Sequence, residues 1–107
     1  VARPVAPTIA EGTAIAQPLR LTQMIHALQD SRGGTVAVEE EDIVAALRQL
    51  SDMGLFVEPT SATVAAAYSM LLVAGTITPI QQTVMLLTGS GLKAATTVAE
   101  LLEPHPT

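Results

Sequence analysis

The tightest constraint on the fold is a five-residue run, Thr83-Val84-Met85-Leu86-Leu87, and the turn that follows it. The run is too short for an amphipathic helix. Its mix of β-branched and long apolar residues suits a buried strand. It leads straight into Thr88-Gly89-Ser90-Gly91-Leu92-Lys93, a turn punctuated by two glycines. A short helix is expected from there, over about 93–101. A buried strand feeding a helix in this way needs other strands beside it, which argues for a layered α/β architecture. In open sheets of that kind, ligands gather outside the carboxyl ends of the strands. Thr88 would sit at such an end, with one hydroxyl to donate or accept. Gly89 and Gly91 would let the backbone approach a ligand closely. A strand ending in a turn capped by Thr and Ser would leave the same local pattern without any ligand.

The rest of the chain supplies the other elements. Residues 1–7 carry two prolines, Pro4 and Pro7, and read as an extended lead-in. Leu21, Met24, Ile25 and Leu28 share one face of a helix expected over 19–29, which Ser31-Arg32-Gly33-Gly34 stops. Thr35-Val36-Ala37-Val38 suits a second buried strand. Glu39-Glu40-Glu41-Asp42 places acids at the positive end of a second helix, with Ile43, Leu47 and Leu50 on its apolar face and Gly54 as its C-terminal cap. Leu55-Phe56-Val57 is a brief extended piece. A third helix opens near Pro59 or Thr60, with Thr60 or Ser61 available as N-cap. Its expected face is Val64, Ala67, Tyr68, Leu71 and Leu72, and Gly75 ends it. Ala65-Ala66-Ala67 permits a close helix contact. Residues 103–107 form a loose tail. The order α, β, α, short β, α, β, α predicts a three-layer α/β/α arrangement with a short, mostly parallel sheet. Two or three strands make a thin sheet, so residues 1–107 are expected to be part of a larger domain.

Composition removes several classes of function. Five Lys and Arg against ten Asp and Glu give a formal charge of −5. There is neither a basic stripe nor an aromatic platform, since Phe56 and Tyr68 are the only aromatic residues. Nucleic acid and an anionic membrane surface are therefore not expected partners. The absence of cysteine rules out disulfides, thiolate metal sites and a thiol nucleophile. His26 and His105 are far apart and without paired carboxylates, so no zinc site is expected. The acids at 39–42 lack the spacing of a calcium loop. Ser61 and Ser90 have no nearby histidine to activate them. No signal-peptide pattern or spanning apolar run is present, and a cytoplasmic location is expected. A start at Val1 rather than Met suggests a fragment.

Three segments, Thr8-Ile9-Ala10-Glu11-Gly12, Glu58-Pro59-Thr60-Ser61-Ala62 and Leu87-Thr88-Gly89-Ser90-Gly91-Leu92-Lys93, occur in one order across roughly residues 8–100. Together they resemble the C-terminal portion of fold-type-II pyridoxal-phosphate enzymes, and within them the threonine synthase-like members. There the last segment commonly reads TGHGLK or TGSGLK, the middle one EPTSA or EPASA, and the first TIAEG or TIADG. The resemblance implies a cofactor, pyridoxal 5′-phosphate, held in a large domain of which this chain is the C-terminal fragment. Thr88 matches the hydroxyl residue that hydrogen-bonds the pyridine nitrogen and leaves it largely unprotonated. An Asp partner would instead hold that nitrogen protonated. Gly12 matches a glycine against one face of the ring. Glu58 and Glu11 match acids near the cofactor, and Gly89 follows Thr88 in the same turn. Ser90 departs from the histidine of many threonine synthases, and Ala94 stands where Asp is frequent.

The resemblance also shows what this chain does not supply. In the family, the lysine that holds the cofactor as a Schiff base and the glycine-rich phosphate loop lie earlier in the sequence. Lys93 is the only lysine here. It aligns with the lysine of the GLK segment, and reads as a solvated residue near a helix start. The chain alone is therefore expected to be inactive, with no catalytic residue of its own. The parent is expected to be a carbon–oxygen lyase of amino-acid metabolism, converting O-phosphohomoserine and water to threonine and phosphate. A serine or threonine ammonia-lyase is the alternative in the same fold, although Ser90-Gly91-Leu92-Lys93 differs from the SGGN usual there. A small non-enzymatic α/β module that binds an anion or a partner is the alternative from another class. Exposed apolar surface, self-association and a homodimeric parent are expected of the fragment reading.

Overall fold

The computed structural model describes residues 4–104. Expectations for the start of the lead-in and for the tail from His105 onward lie outside that range. Within it the chain is helical. A 3-10 turn at Glu11–Thr13 precedes α1 (Leu21–Ser31), α2 (Glu40–Asp52) and α3 (Pro59–Val73), and a second 3-10 turn at Gly91–Ala94 leads into α4 (Ala95–Leu102). No helix among the described residues is long and apolar enough to cross a membrane.

The centre of the molecule is the pairing of α2 with α3. Helix α2 contributes Ile43, Ala46, Leu47 and Leu50, all buried and spaced on one face. Helix α3 answers with Ala62, Ala65 and Ala66. These small side chains bring the two backbones close and let the larger residues of α2 fill the gap. Ala10 and Val57 close the cluster from two loops and Val98 closes it from α4. Arg48 ties α4 to α2 by donating from Nε and Nη2 to the Leu101 carbonyl, at 3.3 and 3.1 Å.

The helix ends follow local rules. Gly54 follows α2 at φ +82° and Gly75 follows α3 at φ +72°. Both helices close with a 6→1 bond, Leu55 N–H to Leu50 C=O at 2.9 Å and Thr76 N–H to Leu71 C=O at 3.0 Å. Helix α1 ends differently from expectation. Arg32, not a glycine, takes the left-handed position at φ 52°, and Gly33 makes the 6→1 bond to Leu28 one residue later.

Two expectations need correction. First, no strand forms among the described residues, and the expected mostly parallel sheet is not present in them. The sole pairing is an isolated antiparallel bridge between Val57 and Ser90, made by Glu58 N–H to Gly89 C=O and Gly91 N–H to Phe56 C=O, both 3.1 Å. The physical reason is partnership: a strand exists only when another backbone satisfies its N–H and C=O groups. Thr83–Leu87 still alternates as a strand would. Val84 and Leu86 are 88% and 73% exposed, while Met85 is 37% exposed and Leu87 packs on the core. Met85 and Leu87 border a hollow with Leu50, Leu55 and Tyr68. The segment thus lays one face on α2 and α3 and leaves its backbone edge unpaired.

Second, the apolar faces are redistributed. Helix α1 buries none of its residues, so Leu21, Met24 and Ile25 face solvent. The face expected for α3 is only half-buried, and Ala62, Ala65 and Ala66 are the true contact. The Cα radius of gyration is 15.1 Å, against about 13 Å for a compact chain of this length.

Candidate functional site

The N-terminal end of α3 organises the site. Glu58 occupies the N-cap position with extended backbone, and its carbonyl accepts from Ser61 and Ala62 N–H at 3.0 and 3.2 Å. Pro59 sits in the first turn, where its missing N–H has no helical partner to lose. Thr60 and Ser61 were the expected capping residues, yet neither side chain caps its own helix. Each reaches outward and accepts from a distant loop. Thr60 Oγ1 accepts from Gly12 N–H at 3.0 Å. Ser61 Oγ accepts from Gly89 N–H at 2.7 Å. Two consecutive hydroxyls therefore hold two segments that lie 48 and 28 residues away.

The first of these segments is clamped from both sides. Glu40, in the first turn of α2, accepts from the Thr8 hydroxyl and from Ile9 N–H, the latter at 2.9 Å. Those two donors hold the Glu40 carboxyl below its ordinary range, the Ile9 N–H first and the Thr8 hydroxyl second. Thr8 in turn accepts from Ala10 N–H at 3.1 Å. The turn at Glu11–Thr13 is thus fixed between α2 and α3. A Cβ at Gly12 would stand 2.9 Å from Thr60 Cγ2, so a side chain there would press on Thr60 and force it to shift.

The second segment is the Thr88-Gly89 turn. A Cβ at Gly89 would fall 1.6 Å from Glu58 Oε1 and 2.7 Å from its Cγ. The Glu58 side chain therefore lies directly over Gly89, and only glycine leaves room for it. Glu58 Oε1 is 3.6 Å from Lys93 Nζ. The lysine is largely exposed, so this ion pair contributes little stability. Thr88 itself is exposed, with Oγ1 3.3 Å from Ser61 Oγ. Ser90 caps the following 3-10 turn by accepting from Leu92 N–H at 3.2 Å.

A cleft of about 350 Å³ opens beside the end of α3, lined by Thr8, Glu11, Glu40, Glu58, Thr60 and Lys93 among others. Its three carboxylates face one ammonium. That excess of negative charge disfavours an anion in the cleft. The five expected cofactor residues thus fall into three linked places. Glu11 and Glu58 line the cleft, Gly12 rests on Thr60, and Thr88 and Gly89 are held by Ser61, with Thr88 outside the cleft. Sequence reasoning missed the outward roles of Thr60 and Ser61 and the clamp at Glu40. The hydroxyl pair after Glu58-Pro59 was the available signal. Its partners lie too far away in sequence to be inferred from spacing.

Comparison with known proteins gives this arrangement its class. Residues 1–89 match the family described as pyridoxal-phosphate dependent enzyme, a span that includes Glu11, Gly12, Glu58, Thr88 and Gly89. The chain belongs to that family, and pyridoxal phosphate is the cofactor of the complete enzyme. Among curated proteins, the threonine synthase of Methanocaldococcus jannaschii is 38% identical over 87 residues, covering 80% of this chain and 22% of the relative. The threonine synthase of Halalkalibacterium halodurans is 32% identical over 100 residues, 92% of this chain and 28% of the relative. That of Methanosarcina acetivorans is 33% identical over 97 residues, 90% and 24%. The chain therefore spans between 22% and 28% of the length of these relatives.

The donor set fits one end of the cofactor. A pyridine nitrogen needs a single partner at the edge of a flat ring, and the exposed Thr88 hydroxyl, backed by Ser61, offers a neutral one. The carboxylates of the cleft do not suit the phosphate end.

Proposed function

We propose that this chain supplies the ring-nitrogen side of the cofactor site in a threonine synthase-like lyase. The parent would release phosphate from O-phosphohomoserine, add water and yield threonine. The observation that carries this reading is the Ser61–Thr88–Gly89 clasp at the end of α3, together with relatives that are named threonine synthases. When bound, the cofactor supplies an electron sink that makes elimination and replacement at the substrate's carbon chain accessible.

The chain's own residues orient that group. Thr88 donates a neutral hydrogen bond at the ring edge. Gly89 keeps the turn thin enough for the Glu58 side chain to lie over it. Gly12 presents backbone without a side chain, held in place through Thr60. Glu11 and Glu58 keep the adjoining cleft negative, which disfavours binding of a phosphate group there. The Schiff-base lysine and the phosphate loop are assigned to the remaining length of the parent, and this chain alone is inactive. The extended Thr83–Leu87 segment is proposed to pair there with further strands of an α/β sheet. The parent is proposed to be cytoplasmic, and also homodimeric, the latter supported by the exposed apolar residues of α1.

The test is a pair of assays on the full-length enzyme. Phosphate release from O-phosphohomoserine with threonine formed is the expected result. Ammonia release from serine or threonine, with no phosphate release, would transfer the reading to an ammonia-lyase. Thr88→Val is expected to lower turnover by about tenfold or more, the scale of one lost hydrogen bond at a reacting group.

A further inference from the structure

Ser61 is 1% exposed, and its hydroxyl is the most heavily engaged side-chain group in the site. Its Oγ receives Gly89 N–H at 2.7 Å and lies 3.3 Å from both the Gly89 carbonyl and Thr88 Oγ1. A serine hydroxyl has one proton to give. Two acceptors at equal distance compete for it. The Gly89 carbonyl already receives Glu58 N–H at 3.1 Å. Thr88 Oγ1 has no other hydrogen-bond partner among the described residues. Donation to Thr88 leaves the Gly89 carbonyl its bond from Glu58 N–H and gives the Thr88 hydroxyl a partner within the chain.

The direction of that bond decides what Thr88 can offer. If Ser61 donates, Thr88 accepts on its inner side and turns its own proton outward. If the Ser61 proton goes to Gly89, Thr88 can donate back to Ser61 and show only lone pairs to the outside. A neutral ring nitrogen is an acceptor and binds only the first arrangement. We propose that Ser61 is a positioning residue that sets the polarity of the Thr88 hydroxyl, making it an oriented donor toward the cofactor's ring nitrogen. This rests on the reading that Thr88 meets the cofactor.

The experiment is a double-mutant cycle in the full-length enzyme with Ser61→Ala, Thr88→Val and both together. It reads the dissociation constant of pyridoxal phosphate by fluorescence titration and the position of the cofactor's absorption band. Ser61→Ala is expected to weaken binding by about five- to tenfold and to shift the band. In the Thr88→Val background the same change should cost less than about twofold, with no further shift. An equal loss from Ser61→Ala in both backgrounds would make Ser61 a purely structural clasp and overturn the inference. An unchanged constant and band in Thr88→Val alone would remove the underlying reading of Thr88, a different and separately visible failure. Should Ser61→Ala not fold, Ser61→Cys keeps the side-chain shape, in a slightly larger group, with a weaker donor. It should give an intermediate loss that again vanishes with Thr88→Val, and affinity equal to the parent's would overturn the proposal.

Discussion

Two regions of this molecule are built on opposite terms. The α2–α3 pair and the loops fastened to the head of α3 satisfy themselves: buried apolar faces meet, and Thr60, Ser61 and Glu40 each hold a distant backbone. Helix α1 and the Thr83–Leu87 segment do not. Leu21, Met24 and Ile25 of α1 and Val84 and Leu86 of the segment face outward, and the extended 83–87 stretch forms no strand. The site belongs to the first region. Its geometry is therefore set by contacts within this chain, whereas the second region leaves much of its apolar surface open to solvent.

The comparison is sharpest in the core. Leu47→Ala removes a fully buried side chain from the α2–α3 contact and is expected to cost about 2–5 kcal/mol. Leu86→Ala, on the outward face of 83–87, should change stability by less than about 0.5 kcal/mol in this chain. Urea unfolding of the two variants checks both. Equal losses would mean that the two regions do not differ as described.

A smaller effect is expected at the end of α1. Arg32 holds a left-handed conformation that favours glycine. Arg32→Gly should therefore stabilise by roughly 0.5–1 kcal/mol. A rise in melting temperature confined to that helix, seen as slower amide exchange over α1, would bear this out. A loss would show that the αL end is not strained.

The smallest effect concerns Glu40. Its folded-state pKa is lowered by the Ile9 N–H and the Thr8 hydroxyl. The stabilisation it gives is therefore complete above the ordinary glutamate value, about 4.3, and is lost as pH falls through the lowered one. The Ile9 amide should lose its protection in that acid window before α2 and α3 unfold. Glu40→Gln should abolish this pH dependence. An Ile9 amide indifferent to pH would detach Glu40 from the clamp.

The same contrast explains what was legible in the sequence. Helix α2 was readable because its acids, its Ile43–Leu47–Leu50 spacing and Gly54 are all local signals, and the helix runs close to where they place it. Helix α3 was readable as a helix but not in its orientation. It is apolar nearly all round, so large residues such as Leu71 drew the expected face, while the contact is made by Ala62 and by Ala65 and Ala66 of the small-residue run expected to permit close approach. The strands were legible only as patterns. Thr83–Leu87 has the alternation of a strand, but hydrogen-bonded pairing depends on backbone from elsewhere. In the site, Thr88, Gly89, Glu58, Glu11 and Gly12 stood out through their resemblance to known segments. Thr60 and Ser61 passed for caps because a hydroxyl at a helix start has the same local appearance whether it serves its own helix or a loop 28 residues away.

The most direct test is a holoenzyme structure of the full-length protein at a resolution that defines the cofactor ring. Thr88 Oγ1 should lie about 2.7–3.1 Å from the pyridine nitrogen, with Ser61 Oγ still behind it and Gly89 N–H on Ser61. A pyridine nitrogen partnered by a carboxylate, or a Thr88 hydroxyl more than about 4 Å away with no atom between them, would contradict the account.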